Sequence, residues 1–161
     1  MTDEHGTLAG RERVAADAAA RGIPIDILER PRAATLDEAA ELFGVASSAI
    51  VKSLVVKRHD GTFLFALIPG DRQISWSKLR AIVGVNKLQL PSQEVAFEAT
   101  GYERGTITPL GSITAWPVFA DARVTGRIAL GAGEIGYSAW VEALDLIGGL
   151  DATTADISEP A

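Results

Sequence analysis

The chain has 161 residues, 47% of them hydrophobic and 22% charged, which predicts a packed globular core in one domain spanning residues 1–161. It contains no cysteine, which excludes a disulfide framework, a thiolate nucleophile and a cysteine-based zinc site. The formal net charge of −6 argues against a general nucleic-acid binder, because such proteins gain much of their affinity by neutralising phosphates.

Neither a secretion signal nor a membrane span is expected. The first residues read MTDEHGTLAGRERV and lack the basic-then-apolar pattern of a signal peptide. No apolar run approaches the roughly 18 residues of a membrane-spanning helix. We therefore expect a cytoplasmic protein with no membrane partner.

Two helices and a strand are predicted before residue 45. Apolar spacing predicts a helix over Thr7–Arg21, capped by a following glycine, and then a short strand over Pro24–Leu28 that ends before Pro31. The segment that starts at Thr35 reads T-L-D-E, a capping box in which Thr35 and Glu38 each bond the other's backbone N–H. This second helix is expected to end at a glycine, residue 44.

A central hairpin is predicted next. Two β-branched, apolar runs, Ile50–Arg58 and Thr62–Ile68, are joined through Asp60 and Gly61, a pair that suits a tight turn. The first run contains one lysine, Lys52. Such a lysine can extend to water at a sheet edge, or it can carry charge into a binding site.

The second half predicts further helices and strands, which together indicate an α+β fold with a mixed, curved sheet. The predicted helices are Trp76–Val83 behind a Ser75 cap, one capped by Ser92 that ends at Gly101, and Val141–Leu150. The predicted strands are Trp116–Ala120, Arg127–Leu130 and Tyr137–Val141, followed by a polar tail with a small strand at Asp156–Ile157.

An ordered loop, Thr100–Gly111, is predicted between the helix capped by Ser92 and the strand that begins at Trp116. It reads TGYERGTITPLG. Its glycines and Pro109 exclude a helix and a central strand. Glycine at position 105 would let backbone N–H groups approach a ligand closely. Spacing alone is equally typical of a plain turn between two elements.

Several other chemistries find no support. His5 and His59 fall in a terminal segment and a hairpin turn without partners, so a histidine-activated nucleophile is not expected. Gly131–Gly136 has the form GxGxxG but opens no βαβ unit, so it is interpreted as a turn. Asp121 suits either a turn or a pocket, and Trp76 either packs in the core or stacks on a base. No metal or cofactor site is predicted.

The lysine strand and the loop together resemble the YbaK/EbsC family, related to the editing domain of bacterial prolyl-tRNA synthetases. The resemblance covers most of Ile23–Ile157. The matching pieces are TLDEAAELFG (35–44), IVKSLV (50–55), GVNK (84–87), residues 100–111, Asp121, GAGEIG (131–136) and Asp145–Leu146. It implies a strongly curved, barrel-like sheet flanked by helices.

The resemblance also implies a function: hydrolysis of the ester between a wrong amino acid and its tRNA, after release from the synthetase. The partners would be the 3′ end of aminoacyl-tRNA and prolyl-tRNA synthetase, without DNA or a cofactor. The implied catalytic residues are Lys52 and Gly105. The implied binding residues are Arg30, Ser53, Thr106, Ile107, Thr108, Pro109, Gly133 and Ser138.

Two positions depart from the best-known members of that family. Arg30 stands where a tyrosine is expected, and Ser138 where an acidic residue is expected. The amino acid that is removed is therefore left open. Two other functions stay open: a non-catalytic module that binds tRNA or a synthetase, and an esterase for another small acyl ester.

The pocket implied by the resemblance should carry a positive electrostatic potential despite the net negative charge of the chain, and should therefore attract the phosphates at the end of a tRNA. The basic residues expected around the pocket are Lys52, Lys78, Arg80, Lys87 and Arg104. Without a base to activate Ser53 or Thr106, no covalent acyl-enzyme is expected.

Overall fold

The computed structural model describes residues 9–30 and 32–161, so His5, the predicted helix start at Thr7 and the break at Pro31 lie outside the described residues. The described helices are α1 (Gly10–Ala20), α2 (Leu36–Phe43), α3 (Trp76–Val83), α4 (Gln93–Thr100) and α5 (Ala143–Leu150). None of them has the length and apolar composition that crossing a bilayer would require.

The strands are β1 (Ile25–Glu29), β2 (Val51–Arg58), β3 (Phe63–Pro69), β4 (Arg72–Ile74), β5 (Leu88–Gln89), β6 (Val118–Asp121), β7 (Arg127–Gly131), β8 (Tyr137–Glu142), β9 (Thr153–Ala155) and β10 (Ser158–Pro160). A single 3-10 turn, Ser47–Ala49, leads into β2. The predicted central hairpin is confirmed as β2 and β3.

Helix caps explain why the helix boundaries could be predicted. Thr35 Oγ1 accepts a hydrogen bond from the Glu38 amide at 3.0 Å, as a capping box requires. The reciprocal bond differs, because the Glu38 carboxylate accepts from the amide of Ala34, at 3.2 Å, and not from that of Thr35. Ser75 and Ser92 cap α3 and α4, and the predicted glycines follow all three helices in the left-handed conformation.

The α+β class and the mixed sheet are confirmed, but the predicted barrel-like sheet is not. The strands divide into a five-stranded mixed sheet of order β5-β2-β3-β6-β9, a three-stranded sheet β1-β8-β7 and the pair β10-β4. The first two sheets pack against one hydrophobic cluster, but their backbones pair only at one isolated bridge among the described residues, Ile50↔Ala129. The described strands do not close into a barrel, because beyond this bridge β2 and β7 no longer pair.

The five-stranded sheet carries a hydrophobic cluster on each face. Val51 and Val55 of β2 belong to the cluster shared with β7, β8, α1 and α5. Val56, with alternate residues of β3, packs in the second cluster against Leu79 of α3 and Ile157. A strand that is covered on both faces needs apolar side chains on both, which is why apolar and polar residues do not alternate in the sequence of β3.

The C-terminal segment differs from its prediction. The small strand expected at Asp156–Ile157 is instead two strands, β9 and β10, on either side of it. Asp121 is fully buried and accepts from the amides of Ile157 at 3.1 Å and Arg123 at 3.0 Å. Asp121 therefore fixes a turn and the chain end, which settles its predicted alternatives against a pocket role.

Candidate functional site

A cavity of about 680 Å³ lies where the two larger sheets separate. Its walls are the edge of β2, the ends of β7 and β8, the N-terminal ends of α2 and α4, and the loop after α4. The volume is within the usual range of small-molecule sites. The gap left by the absent barrel closure is thus a cavity large enough for a small ligand.

Six residues of the sequence-predicted set line this cavity. They are Arg30, Lys52, Ser53, Gly105, Ile107 and Ser138. They come from the residue after β1, from β2, from the loop and from β8, which lie far apart in sequence. The structure therefore brings the lysine strand and the glycine loop to one place, as their resemblance to the editing family implies.

The other four predicted binding residues do not line the cavity. Thr106 is buried, and its hydroxyl donates to the Glu103 carbonyl at 2.8 Å. Thr108 is fully buried, and its Oγ1 accepts from the Leu110 amide at 3.3 Å. Pro109 borders a different, smaller pocket. Gly133 faces the opposite way, toward Gly10 and the Tyr102 ring.

Lys52 lines the cavity, and its ammonium is held by a contact with β4, whose residues do not line it. The ladder pairs it with Ile68, so its side chain leaves β2 on the face opposite to that of Val51 and Val55. Its ammonium donates a hydrogen bond to the Arg72 carbonyl. Burial lowers the pKa of the Lys52 ammonium, and the nearby Asp71 carboxylate partly opposes this shift.

The cavity wall is basic. Arg30, Lys52 and Arg104 line it, and none of its described lining residues is acidic. Lys78, Arg80 and Lys87, which were also expected around it, do not line it. Lys78 instead pairs with Asp156 at 2.9 Å on the surface. The local charge is thus opposite to the net charge of the chain.

Two residues of the loop, Gly105 and Ile107, line the cavity and have backbone amides that are unbonded within the described chain. Gly105 has φ +89°, and a Cβ there would meet nothing within 4 Å. The Thr106 amide is bonded to the Glu103 carbonyl at 3.0 Å, whereas the amides of Gly105 and Ile107 have no acceptor among the described residues. These two N–H groups are free to bind a carbonyl oxygen.

Gly131 sets how closely this loop approaches β7, and sequence reasoning missed it. A Cβ on Gly131 would lie 2.4 Å from the Ile107 carbonyl oxygen and 2.8 Å from that of Thr106. The Gly133 amide donates to the Thr106 carbonyl at 2.9 Å. The GAGEIG segment is a turn between β7 and β8, as predicted, but its first glycine is also required for loop docking.

Tyr102 anchors the far side of the loop. Its hydroxyl donates to the Leu110 carbonyl at 2.7 Å, and the Arg13 guanidinium lies 4.7 Å from its ring centroid. Arg13 also donates to the Gly111 carbonyl at 2.6 Å, while Asp17 accepts from the Gly111 amide at 2.8 Å. Helix α1 therefore holds the loop that borders the cavity.

Substituting Tyr102 by phenylalanine should lower the free energy of unfolding and should remove the loss of stability that accompanies ionisation of this hydroxyl at high pH. Burial raises the pKa of Tyr102 to about 12, with Arg13 opposing and Asp17 adding to the shift. Because the folded-state pKa lies above the unfolded value, this contribution is complete below pH 10 and is lost as pH rises toward 12.

Urea unfolding at pH 8 and pH 11 tests this prediction. Tyr102→Phe should cost about 1 kcal/mol at pH 8, the worth of one hydrogen bond. It should also lose less stability than the wild type between the two pH values. An equal alkaline loss in both proteins would show that Tyr102 does not titrate as described.

Other candidate groups lie away from the cavity. His59 is exposed in the β2–β3 turn, and Trp76 packs against the second hydrophobic cluster. No group of three metal-ligating side chains occurs within residues 9–30 and 32–161. The described cavity wall therefore offers backbone donors, hydroxyls and cations as its polar groups.

Comparisons with known proteins identify the family of this chain. The model of the aminoacyl-tRNA editing domain family matches residues 30–148. Proline–tRNA ligase of Thermosipho africanus is 40% identical over 82 residues, which is 51% of this chain and 14% of the ligase. The corresponding ligase of Shouchella clausii is 38% identical over 109 residues, 66% of this chain and 19% of the ligase.

A solved structure shares the whole fold. It is a crystal structure of a candidate trans-editing enzyme for prolyl-tRNA synthetase, with a TM-score of 0.85 and 26% identity over 95% of this chain and 99% of that one. The ligases, in contrast, match over less than a fifth of their own length. The family match extends from Arg30 to Gly148, near the end of α5, and includes every residue that lines the cavity, so this chain belongs to the family of aminoacyl-tRNA editing domains.

Proposed function

We propose that this protein hydrolyses the ester that links a wrong amino acid to the 3′ end of a tRNA, with mischarged proline tRNA as the substrate class. The observation that supports this most is the cavity itself. It joins a basic, acid-free wall to a glycine loop with two free amide donors, in a chain of the editing family. Editing by a separate site overcomes the weak discrimination that one methylene or hydroxyl provides.

The chemistry of the wall suits the end of a charged tRNA. A terminal adenosine brings a phosphate, and the basic side chains Arg30, Lys52 and Arg104 are the groups at the wall that attract it. Lys52 would exchange its contact with the Arg72 carbonyl for a phosphate or ribose oxygen. The aminoacyl group would then lie between β2 and the loop.

Hydrolysis in this site needs no enzyme nucleophile. The amides of Gly105 and Ile107 would polarise the ester carbonyl and stabilise the negative charge that develops on its oxygen. The oxygen of a water molecule bonds to the carbonyl carbon, and the bond from that carbon to the ribose oxygen breaks. A proton from the water passes to the ribose oxygen, with a substrate hydroxyl as relay, and the free amino acid leaves.

An open cavity favours catalysis over binding alone. Tyr137, which could have blocked the site, does not line the cavity, and the Arg11 guanidinium lies over its ring at 4.3 Å. Arg30, at the position of the expected tyrosine, is exposed. Substrate can therefore enter without displacement of a large aromatic side chain.

A deacylation panel tests the proposal. Proline tRNA charged with alanine, serine, cysteine or threonine is incubated with excess protein, and loss of the ester is followed over time. At least one mischarged tRNA should be hydrolysed well above the rate without protein. Tight binding of these tRNAs with no accelerated hydrolysis would contradict the proposal and identify a binding module instead.

Binding to tRNA should depend on salt and on the exposed arginines. Neutralising Arg104 by Arg104→Ala should reduce the slope of log affinity against log salt by about 0.7, the value for one single-strand phosphate contact. Arg80→Ala, which changes an arginine outside the cavity, should leave the slope unchanged. Fluorescence anisotropy at several salt concentrations measures both. Equal slopes for all three proteins would remove Arg104 from the binding surface.

A further inference from the structure

One edge of β2 faces the cavity without a neighbouring strand. On that side β5 pairs only with Lys57 and Arg58, and β7 meets the start of β2 at the single bridge of Ile50. Between these contacts, β2 has a partner only on its other side, where β3 pairs along its length. A strand edge of this kind carries unpaired N–H and C=O groups.

The ladder register identifies which residues direct these groups into the cavity. The Arg58 amide donates to the Thr62 carbonyl at 2.8 Å, and the same register continues to Val51↔Pro69. Residues of an antiparallel pair alternate between those that bond to the partner and those that face away. Because Arg58 bonds toward β3, Ser53 and Val55 direct their N–H and C=O groups to the open edge.

Ser53 is the better placed of these two residues. Ser53 lines the cavity together with Gly131, whose missing Cβ admits the loop. Ser53 Oγ is also buried and has no hydrogen-bond partner among the described residues. A buried hydroxyl without a partner is unusual in folded proteins, and an ordered water or a ligand is the usual source of the missing partner.

Resting on the proposed function, we propose that the backbone of Ser53 binds the aminoacyl group as a neighbouring strand residue would. Its N–H donates to the carbonyl oxygen of the aminoacyl group, and its C=O accepts from the α-ammonium. Because no described lining residue is acidic, this ammonium has no carboxylate to bind in the cavity. The acceptors that remain are side-chain hydroxyls, the Gln93 amide oxygen and backbone carbonyls.

This arrangement binds the α-ammonium and the carbonyl group, which all aminoacyl groups with a primary amine share. It orients the ester for water and leaves discrimination between side chains to the rest of the cavity. A hydroxyl or thiol on the bound amino acid is the natural partner for Ser53 Oγ. The proposal therefore favours small amino acids with a polar side-chain hydrogen over purely apolar ones of the same size.

The test replaces a single backbone N–H by oxygen. Protein is made by in vitro translation with the α-hydroxy acid counterpart of serine at position 53, and, as a matched control, that of valine at position 55. Both changes affect N–H groups of the same open edge and preserve the side chain. The probe is a short acceptor-stem RNA whose terminal adenosine carries alanine through a non-hydrolysable 3′-amide.

The substitution at Ser53 should weaken binding of this probe about tenfold, the worth of one lost hydrogen bond. The substitution at Val55 should change it less than twofold. A second probe with propionate in place of alanine, which lacks the α-amino group, should bind wild-type protein about tenfold more weakly.

The outcomes separate this proposal from the deacylase function. If wild-type protein hydrolyses mischarged tRNA but the Ser53 change leaves affinity within twofold, or Val55 loses as much, then the assignment to Ser53 is overturned and the deacylase function stands. If wild-type protein neither binds the alanine probe nor hydrolyses any mischarged tRNA, then both proposals are overturned.

Discussion

Lys52→Ala is expected to lower the single-turnover rate of deacylation by roughly 100-fold or more. Lys52 is the half-buried cation of the cavity wall, and its ammonium donates to a backbone carbonyl. A charge contact in a partly dry site contributes several kcal/mol to a transition state, which is the size of loss seen when one preorganised donor is removed. The rate is measured with protein in excess over a mischarged proline tRNA.

A second lysine of the same strand provides the control. Lys57 lies in β2, five residues further on, beside β5 and outside the cavity. Lys57→Ala should leave the rate within twofold of the wild type. Folding of both variants is checked by circular dichroism, so that lost structure is not mistaken for lost chemistry. A Lys52→Ala protein that is folded and fully active would remove Lys52 from the mechanism.

Gly131→Ala is expected to lower the same rate by about 100-fold without a change at any group that contacts substrate. The added Cβ would lie 2.4 Å from the Ile107 carbonyl oxygen, and a backbone atom cannot move aside as a flexible side chain can. The loop must therefore shift, together with the amides of Gly105 and Ile107. Misplacing catalytic groups by about 1 Å is enough for a loss of this size.

Another glycine distinguishes this effect from a general intolerance of substitution. Gly148 lies in α5, away from the cavity, and a Cβ there would meet nothing within 4 Å. Gly148→Ala should keep full activity and raise stability by up to about 1 kcal/mol, because alanine favours a helix over glycine. Full activity of Gly131→Ala would mean that the loop position is not critical.

The parts of the fold that could be predicted are those set by local chemistry. Ser75, Ser92 and Thr35 cap helices through bonds that span three residues, and the glycines that follow these helices adopt positive φ. The β2–β3 turn was predictable for the same reason. In each case, the residues that decide the structure are adjacent in sequence.

The pairing of distant segments could not be predicted in this way. β9 runs parallel to β6, and β10 pairs with β4, so the C-terminal strands depend on partners more than 30 residues away. The polar appearance of this segment reflects its exposed side chains and conceals the fully buried Ile157. The cavity likewise lies where segments distant in sequence stop pairing, because among the described residues the two larger sheets share only the backbone bridge between Ile50 and Ala129.

The site residues also divide into those that a local motif identifies and those whose role depends on contacts between distant segments. Lys52 and the loop were identified because their motifs resemble the editing family, and the structure places both at one cavity. Thr106 and Thr108 were included because the resemblance implies a binding loop there, but the hydroxyl of each bonds to a neighbouring backbone group, as threonine in a tight loop often does. Gly131 was missed because its role depends on contact with residues 106 and 107, about 25 positions earlier in the chain.

The most direct test of the deacylase proposal compares mischarged and correctly charged proline tRNA under single-turnover conditions. Wild-type protein should release alanine, serine, cysteine or threonine from proline tRNA much faster than the spontaneous rate, and should leave prolyl-tRNA intact. Lys52→Ala should abolish most of this acceleration, while Lys57→Ala should preserve it. Hydrolysis of every ester at the spontaneous rate by folded wild-type protein would contradict the account.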